Sequence, residues 1–408
     1  MLKNKNYLTV VILIGFFLRL LSYYFFRDYN LDNEWGVLFK NFSNYKIIGI
    51  NIFDGERVRQ GIASTNHEVF PSIFMPPFYL FLIISFSFLF SEIYLVSAIL
   101  FFQIILSIIS SYYLYKLLNK FFNKNISFTG LIIFLYFPLN IYASTQISSA
   151  TLQVFFIILF FYFFCNLLIK KNIKNLILFS IISAILILLR GEYILILFFS
   201  YFFLLFRTKN FKIIIMSCSL IIFLVSPYLV RNYVNFEELV ITKSLGFNLW
   251  KGNNKFANSE GNENLYDVEM IEDLKKINPD KFYEVKKDNI YKKYALRNIT
   301  EDPKFYLKLY LKKIIAFIFY DKDSTYPNYY SLFHIIPKLM LGVFSVAGIF
   351  FIDIKNKNLM FFNLCFVLNI LVFSMFFILP RYQLGVLPLQ IILSCIVFEK
   401  IYFRFRKI

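Results

Sequence analysis

YLTVVILIGFFLRLLSYYFF, Tyr7–Phe26, is a run of 20 residues that carries one charge, Arg19. As a helix it would span about 30 Å, the hydrocarbon thickness of a bilayer. It is too long for a signal-peptide core and lacks a small-residue cleavage site, so it reads as a retained helix. The same texture repeats outward from it. Phe-, Ile- and Leu-rich runs occupy 76–90, 93–115, 126–143, 148–169, 175–189, 191–206, 213–230, 308–320, 331–352, 359–379 and 383–403. A length of 408 residues alone suggests two or three soluble domains. With 59% hydrophobic and 21% aromatic residues, the chain is instead an all-α polytopic membrane protein.

Two polar stretches, 27–75 and 235–306, interrupt the apolar runs. They divide the chain into 1–234, a transmembrane module with its first loop, the polar region 235–306, and the C-terminal helices 307–408. Basic loops set orientation by the positive-inside rule. Lys3 and Lys5 place the N-terminus in the cytoplasm, so 27–75 lies outside. The loops carrying Lys116, Lys120 and Lys124, then Lys170, Lys171 and Lys174, then Arg207, Lys209 and Lys212 all belong inside. This parity requires that 76–115 cross only once. It also makes 308–320, with Lys308, Lys312 and Lys313, an amphipathic interfacial helix. About ten crossings follow, with both termini cytoplasmic and 235–306 outside on the face of 27–75.

The formal charge of +18 lies in those loops, and with no nucleic-acid-binding motif present it does not point to RNA or DNA. Cys165, Cys218, Cys365 and Cys395 all sit inside apolar runs without paired spacing, which argues against disulfides and zinc. Two histidines, His67 and His334, argue against a histidine-built metal centre.

The outer face gathers Asp32, Glu34, His67, Glu68, Arg190, Glu192, Arg231 and Arg381. Acids at a membrane mouth are functional candidates, and a carboxylate there suits proton abstraction from a polar substrate. An arginine at this depth either anchors the interface or grips phosphate through its planar fork. Several converging on one face favour phosphate. Pro76-Pro77-Phe-Tyr79 is a rigid helix start. Beyond Pro227 the chain exits on Arg231-Asn232-Tyr233. It continues through Gly246-Phe-Asn248-Leu-Trp-Lys-Gly252-Asn253, expected as a Gly/Asn-rich turn with backbone donors and positive-φ positions.

In this order the motifs resemble the integral-membrane glycosyltransferases of the GT-C superfamily. They are closest to the branch of dolichyl-phosphate-mannose–protein mannosyltransferases and the lipid A aminoarabinose transferase. The pieces are Asp32/Glu34, Pro76 to Tyr79, Arg190, Pro227 to Tyr233, Gly246 to Asn253 and Arg381-Tyr382. The resemblance implies a GT-C-like helical bundle. It implies inverting transfer of a sugar from a polyprenyl-phosphate donor to a hydroxyl or amine of a glycolipid, polysaccharide or protein acceptor, on the outer face of the cytoplasmic membrane and in contact with its lipid bilayer. Asp32 resembles the family's base, with Glu34 as its partner. Arg190, Arg231 and Arg381 would hold the donor phosphate, and His67, Glu68, Tyr79, Glu192, Asn232, Asn248 and Asn253 would line the substrate site. A divalent cation on the outer acids stays open.

There are two departures. Asn33 separates acids that are adjacent in many relatives. The later outer turn, Gln146-Ile-Ser148-Ser149-Ala150-Thr151, lacks the second acid those relatives carry. Two other readings remain beside transfer: a transporter or flippase of lipid-linked saccharide, and a non-catalytic envelope-assembly protein. Transporters show repeats, broken helices and buried midplane charges; none is visible in this sequence.

Overall fold

The computed structural model describes residues 5–51, 69–321, 323–324 and 331–405. α1 (Lys5–Phe26) runs from a basic end of the bundle to a polar end. There α2 (Glu34–Tyr45) and an antiparallel hairpin, β1 (Gly49–Asn51) paired with β2 (Val69–Pro71), lie across the top, Gly49 opposite Pro71. α3 (Pro77–Ser87) and α4 (Glu92–Leu118) return. α3 has 11 residues, roughly 16 Å and half a bilayer, so the two together make one pass. α5 (Lys124–Tyr136) with α6 (Pro138–Ala143), α7 (Ala150–Ile169), α8 (Ile173–Leu189), α9 (Tyr193–Thr208) and α10 (Phe211–Phe236) continue the alternation.

α11 (Leu245–Gly252), α12 (Val268–Lys275) and α13 (Tyr283–Glu301) form a helical unit at the polar end. It has its own core of Leu249, Trp250, Met270, Leu274, Tyr291 and Tyr294. α14 (Pro303–Ile318) starts on Pro303, capped by Asp302, and stays at that end, where its Lys313 reaches α11. α15 (Leu332–Phe350), α16 (Lys357–Phe373), the short α17 (Pro380–Gln383), one 3-10 turn and α18 (Leu387–Phe405) complete the bundle.

The ends are defined by contacts. At the polar end Asp28 N donates to Thr145 O. At the basic end Lys120 Nζ donates to Asn166 Oδ1 and Asn125 Nδ2 to the Tyr402 hydroxyl. Among the described residues the chain passes between these ends ten times: α1, α3–α4, α5–α6, α7, α8, α9, α10, α15, α16 and α18. Six helices are long and apolar enough to cross a membrane, and shorter apolar ones lie among them. The chain is an all-α polytopic membrane protein, apart from the small hairpin, which the sequence reading did not anticipate.

Proline decides where the long runs break. Pro138 has no N–H to offer Phe134 O, so 126–143 splits into α5 and α6. Asn140 Nδ2 takes Phe134 O at 3.2 Å. The next carbonyl, Leu135 O, accepts from Arg19 at 3.0 Å. Arg19 is fully buried and also reaches Gly15 O and Ser107 Oγ, so one charge fastens α1, α4 and α5. Lys338, likewise buried on α15, donates to Gln390 Oε1 on α18. Broken helices and buried intramembrane charges are therefore present, contrary to the sequence reading. Both charges are bonded within the bundle, as such groups must be in oil.

Candidate active site

The first loop is held by the polar turn 144–149. Asp28 Oδ2 accepts from Ile147 N at 2.7 Å, and Asn33 Nδ2 donates to Ile147 O at 2.9 Å. Asn33 Oδ1 in turn caps Trp35 N and Gly36 N. Asn33, the departure between the two acids, is thus the N-cap of α2 and its tether to the bundle. It fixes Glu34 as the first helical residue, exposed at the polar end. Asp32 is exposed one position before the cap. Asp28 was not singled out by the sequence. Its carboxyl is half-buried against the turn that lacks the relatives' second acid, and burial pushes its pKa up against the pull of the Ile147 amide. Its one sequence signal is its place just beyond the polar end of α1.

A second cluster comes from three helix starts. Arg190 caps α8, and a two-residue link leads into α9, so Arg190 and Glu192 stay at the surface and pair at 2.7 Å. Arg381 is the second residue of α17. Tyr382 lies under both arginines, with guanidinium carbons 4.8 Å and 5.6 Å from its ring centroid. Tyr193 takes a hydrogen bond from Gln153 at 2.7 Å, and Gly385 packs against both, where a Cβ would come within 2.7 Å of the Gln153 amide. Glu34 stands near this cluster. Its charge acts on Arg381, as does that of Arg190, yet among the described residues Glu34 forms no ion pair. The structure therefore brings Arg190, Glu192 and Arg381 together around Tyr382, with Glu34 near enough for its charge to act on Arg381.

Glu34 also opens a cavity of about 660 Å³ between α2 and α13, floored by the hairpin region and Phe247. Arg231, expected to bind phosphate, lies on the other side of that floor. Its guanidinium donates to Ser72 O at 2.8 Å, Ile48 O at 2.9 Å and Asn232 Oδ1 at 2.8 Å. It holds the hairpin against α10 and is not with the other two arginines. Glu284 supports the same floor, accepting from Ser72 Oγ and Ile73 N.

Several expected substrate residues serve the scaffold. Tyr79 is fully buried, its hydroxyl bonded to Gln103 Oε1 at 3.0 Å. Asn232 is buried and closes the 240–241 turn through Val240 O. Asn253 donates to Leu249 O and to Met375 O and accepts from Lys313. Together with the Ile378 N to Ser259 O bond, this docks the helical unit of the polar end on the segment leading to Arg381. Asn248 is half-buried on α11, outside the cavity lining. His67 and Glu68 lie outside the described residues. The expected Gly/Asn turn is helix α11. Gly246 is there for close approach, since a Cβ would meet Asp288 O at 2.0 Å. Among the described residues no three His, Cys, Asp or Glu side chains group as metal ligands.

Residues 75–230 match the family model of dolichyl-phosphate-mannose-protein mannosyltransferase. That family is of GT-C type, so the resemblance read from the motifs holds from the start of α3 almost to the end of α10. The match includes Arg190 and supports a membrane glycosyltransferase. The first loop, α11–α14 and Arg381 lie beyond it. No curated protein and no solved structure matches the chain.

Proposed function

We propose that the chain is an inverting glycosyltransferase that moves a sugar from a polyprenyl-phosphate donor to an acceptor hydroxyl, outside the cytoplasmic membrane. One observation carries this reading: Arg190 and Arg381 stand together over Tyr382, and Glu34, whose charge acts on Arg381 without an ion pair, lines the cavity. In this reading the phosphate sits on the arginine side of Glu34 and the acceptor on the cavity side.

In the proposed reaction the acceptor oxygen attacks the anomeric carbon as the bond from that carbon to the phosphate oxygen breaks. Glu34 takes the acceptor's proton. The leaving prenyl phosphate keeps the electron pair, and Arg381 and Arg190 neutralise its charge. Glu192, already on Arg190, holds that guanidinium until the phosphate competes for it. The base is Glu34 rather than Asp32, because Asp32 sits before the cap and shares neither the arginines nor the cavity.

The test is to reconstitute the full chain in vesicles with a panel of labelled polyprenyl-phosphate hexoses and pentoses and with membrane-derived acceptors. A new glycosidic bond with inverted configuration is the expected product. Labelled lipid crossing the vesicle wall with no new bond would contradict it and favour the transporter reading.

A further inference from the structure

The cavity beyond Glu34 has a direction. α2 lines it with Glu34, Leu38, Asn41 and Tyr45, residues three or four apart and therefore on one helical face. From Glu34 to Tyr45 that face runs roughly 16 Å. α13 lines the opposite wall with Tyr283, Lys287 and Tyr291, again one face. The cavity is thus a groove with the reacting carboxylate at one end.

We propose that this groove is the acceptor subsite and that it takes a saccharide chain, laid along α2 with its reacting hydroxyl at Glu34. The proposal rests on the function assigned above. Three features of the lining support it. Tyr45 is 54% exposed, and Phe74 and Phe247 are half-exposed and meet edge-on at 5.6 Å. Such rings offer flat apolar faces to the C–H faces of sugar rings. Lys40 and Asn44, also in the lining, are exposed polar groups that offer hydrogen-bond donors for ring hydroxyls. The volume, about 660 Å³, belongs to the class that encloses a small molecule or a few linked rings.

A peptide fits less well. An extended peptide that docks by strand addition needs a free strand edge. Here Ile48 O and Ser72 O accept from Arg231, and Gly49 O accepts from Asn41 Nδ2. The acids of the far wall are also engaged. Glu284 holds Ile73 N and Asp288 holds Phe247 N, so they shape the groove.

The experiment places p-benzoylphenylalanine at Val37 or Asn44 of the full chain, in cells that make it, and irradiates their membranes. Val268, exposed on α12 and outside the groove, is the control position. Adducts at Val37 and Asn44 that release monosaccharides on acid hydrolysis are expected, and Tyr45→Ala should lower their yield severalfold. Adducts carrying peptide, or none above the Val268 control, would overturn the groove assignment. The Glu34→Gln background separates the two claims. The saccharide adduct should persist there while transfer is lost; a saccharide adduct with transfer undiminished would keep the groove and remove the catalytic assignment.

Discussion

Arg231 and Arg381 look alike in the sequence, each within two residues of a tyrosine near a helix end, and the structure separates them by what their donors already hold. Arg231 gives its hydrogen bonds to two hairpin carbonyls and Asn232. Arg381 is exposed, and its neighbour is Tyr382. Arg231→Ala should therefore destabilise the chain by about 2–3 kcal/mol, since the floor of the groove loses charge-assisted bonds and keeps orphaned carbonyls. Arg381→Ala should change stability by less than about 0.5 kcal/mol and lower transfer about a hundredfold or more. Thermal melts in nanodiscs beside transfer rates check both, and the opposite pattern would return Arg231 to the phosphate. The sequence could nominate these arginines because charge at the membrane mouth is costly and visible. It could not sort them, because the carbonyls that claim Arg231 come from Ile48 and Ser72, far away in the chain. Asn33 reads as a broken acid pair for the same reason. Its partners, a helix N-terminus and Ile147 O, appear only once the chain folds.

Individual elements show which local rules suffice. Pro77 and Pro303 open helices as their chemistry dictates, and Pro138 breaks one. The helix α11 was misread as a turn because its glycines answer a tertiary need, the close passage of α13 and of residues 376–377. α14 carries a different consequence. Lys313 is fully buried and donates to Gly252 O and Asn253 Oδ1, where desolvation pushes its pKa down to about 7. Between that value and the ordinary lysine range the unfolded chain holds a proton that the folded chain does not. Stability should therefore be lowest at pH 7 and below, and rise with pH toward 10. Relative to Lys313→Met, which lacks this proton, the native chain should gain up to about 1 kcal/mol per pH unit over that window. Melting curves of the two at pH 7, 8.5 and 10 check the slope. A constant difference would show that Lys313 titrates normally.

At the scale of the whole molecule, hydropathy and loop charge were enough for the all-α class and for ten passes, because lipid forces every span into a closed helix and makes each one legible. The assembly at the polar end was only partly legible. The sequence put acids and arginines on one face; the approach of Arg190 and Arg381 over Tyr382, the groove between α2 and α13, and the place of Asp28 beside Ile147 depend on contacts between distant segments. The most direct test compares Glu34→Gln with Asp32→Asn in the same transfer assay at saturating donor. Glu34→Gln should lose about 10²–10⁴ of the rate, as removal of a general base does, with its melting temperature retained, and Asp32→Asn should stay near the native rate. Full transfer in Glu34→Gln, with loss in Asp32→Asn, would contradict the assignment and move the base to Asp32.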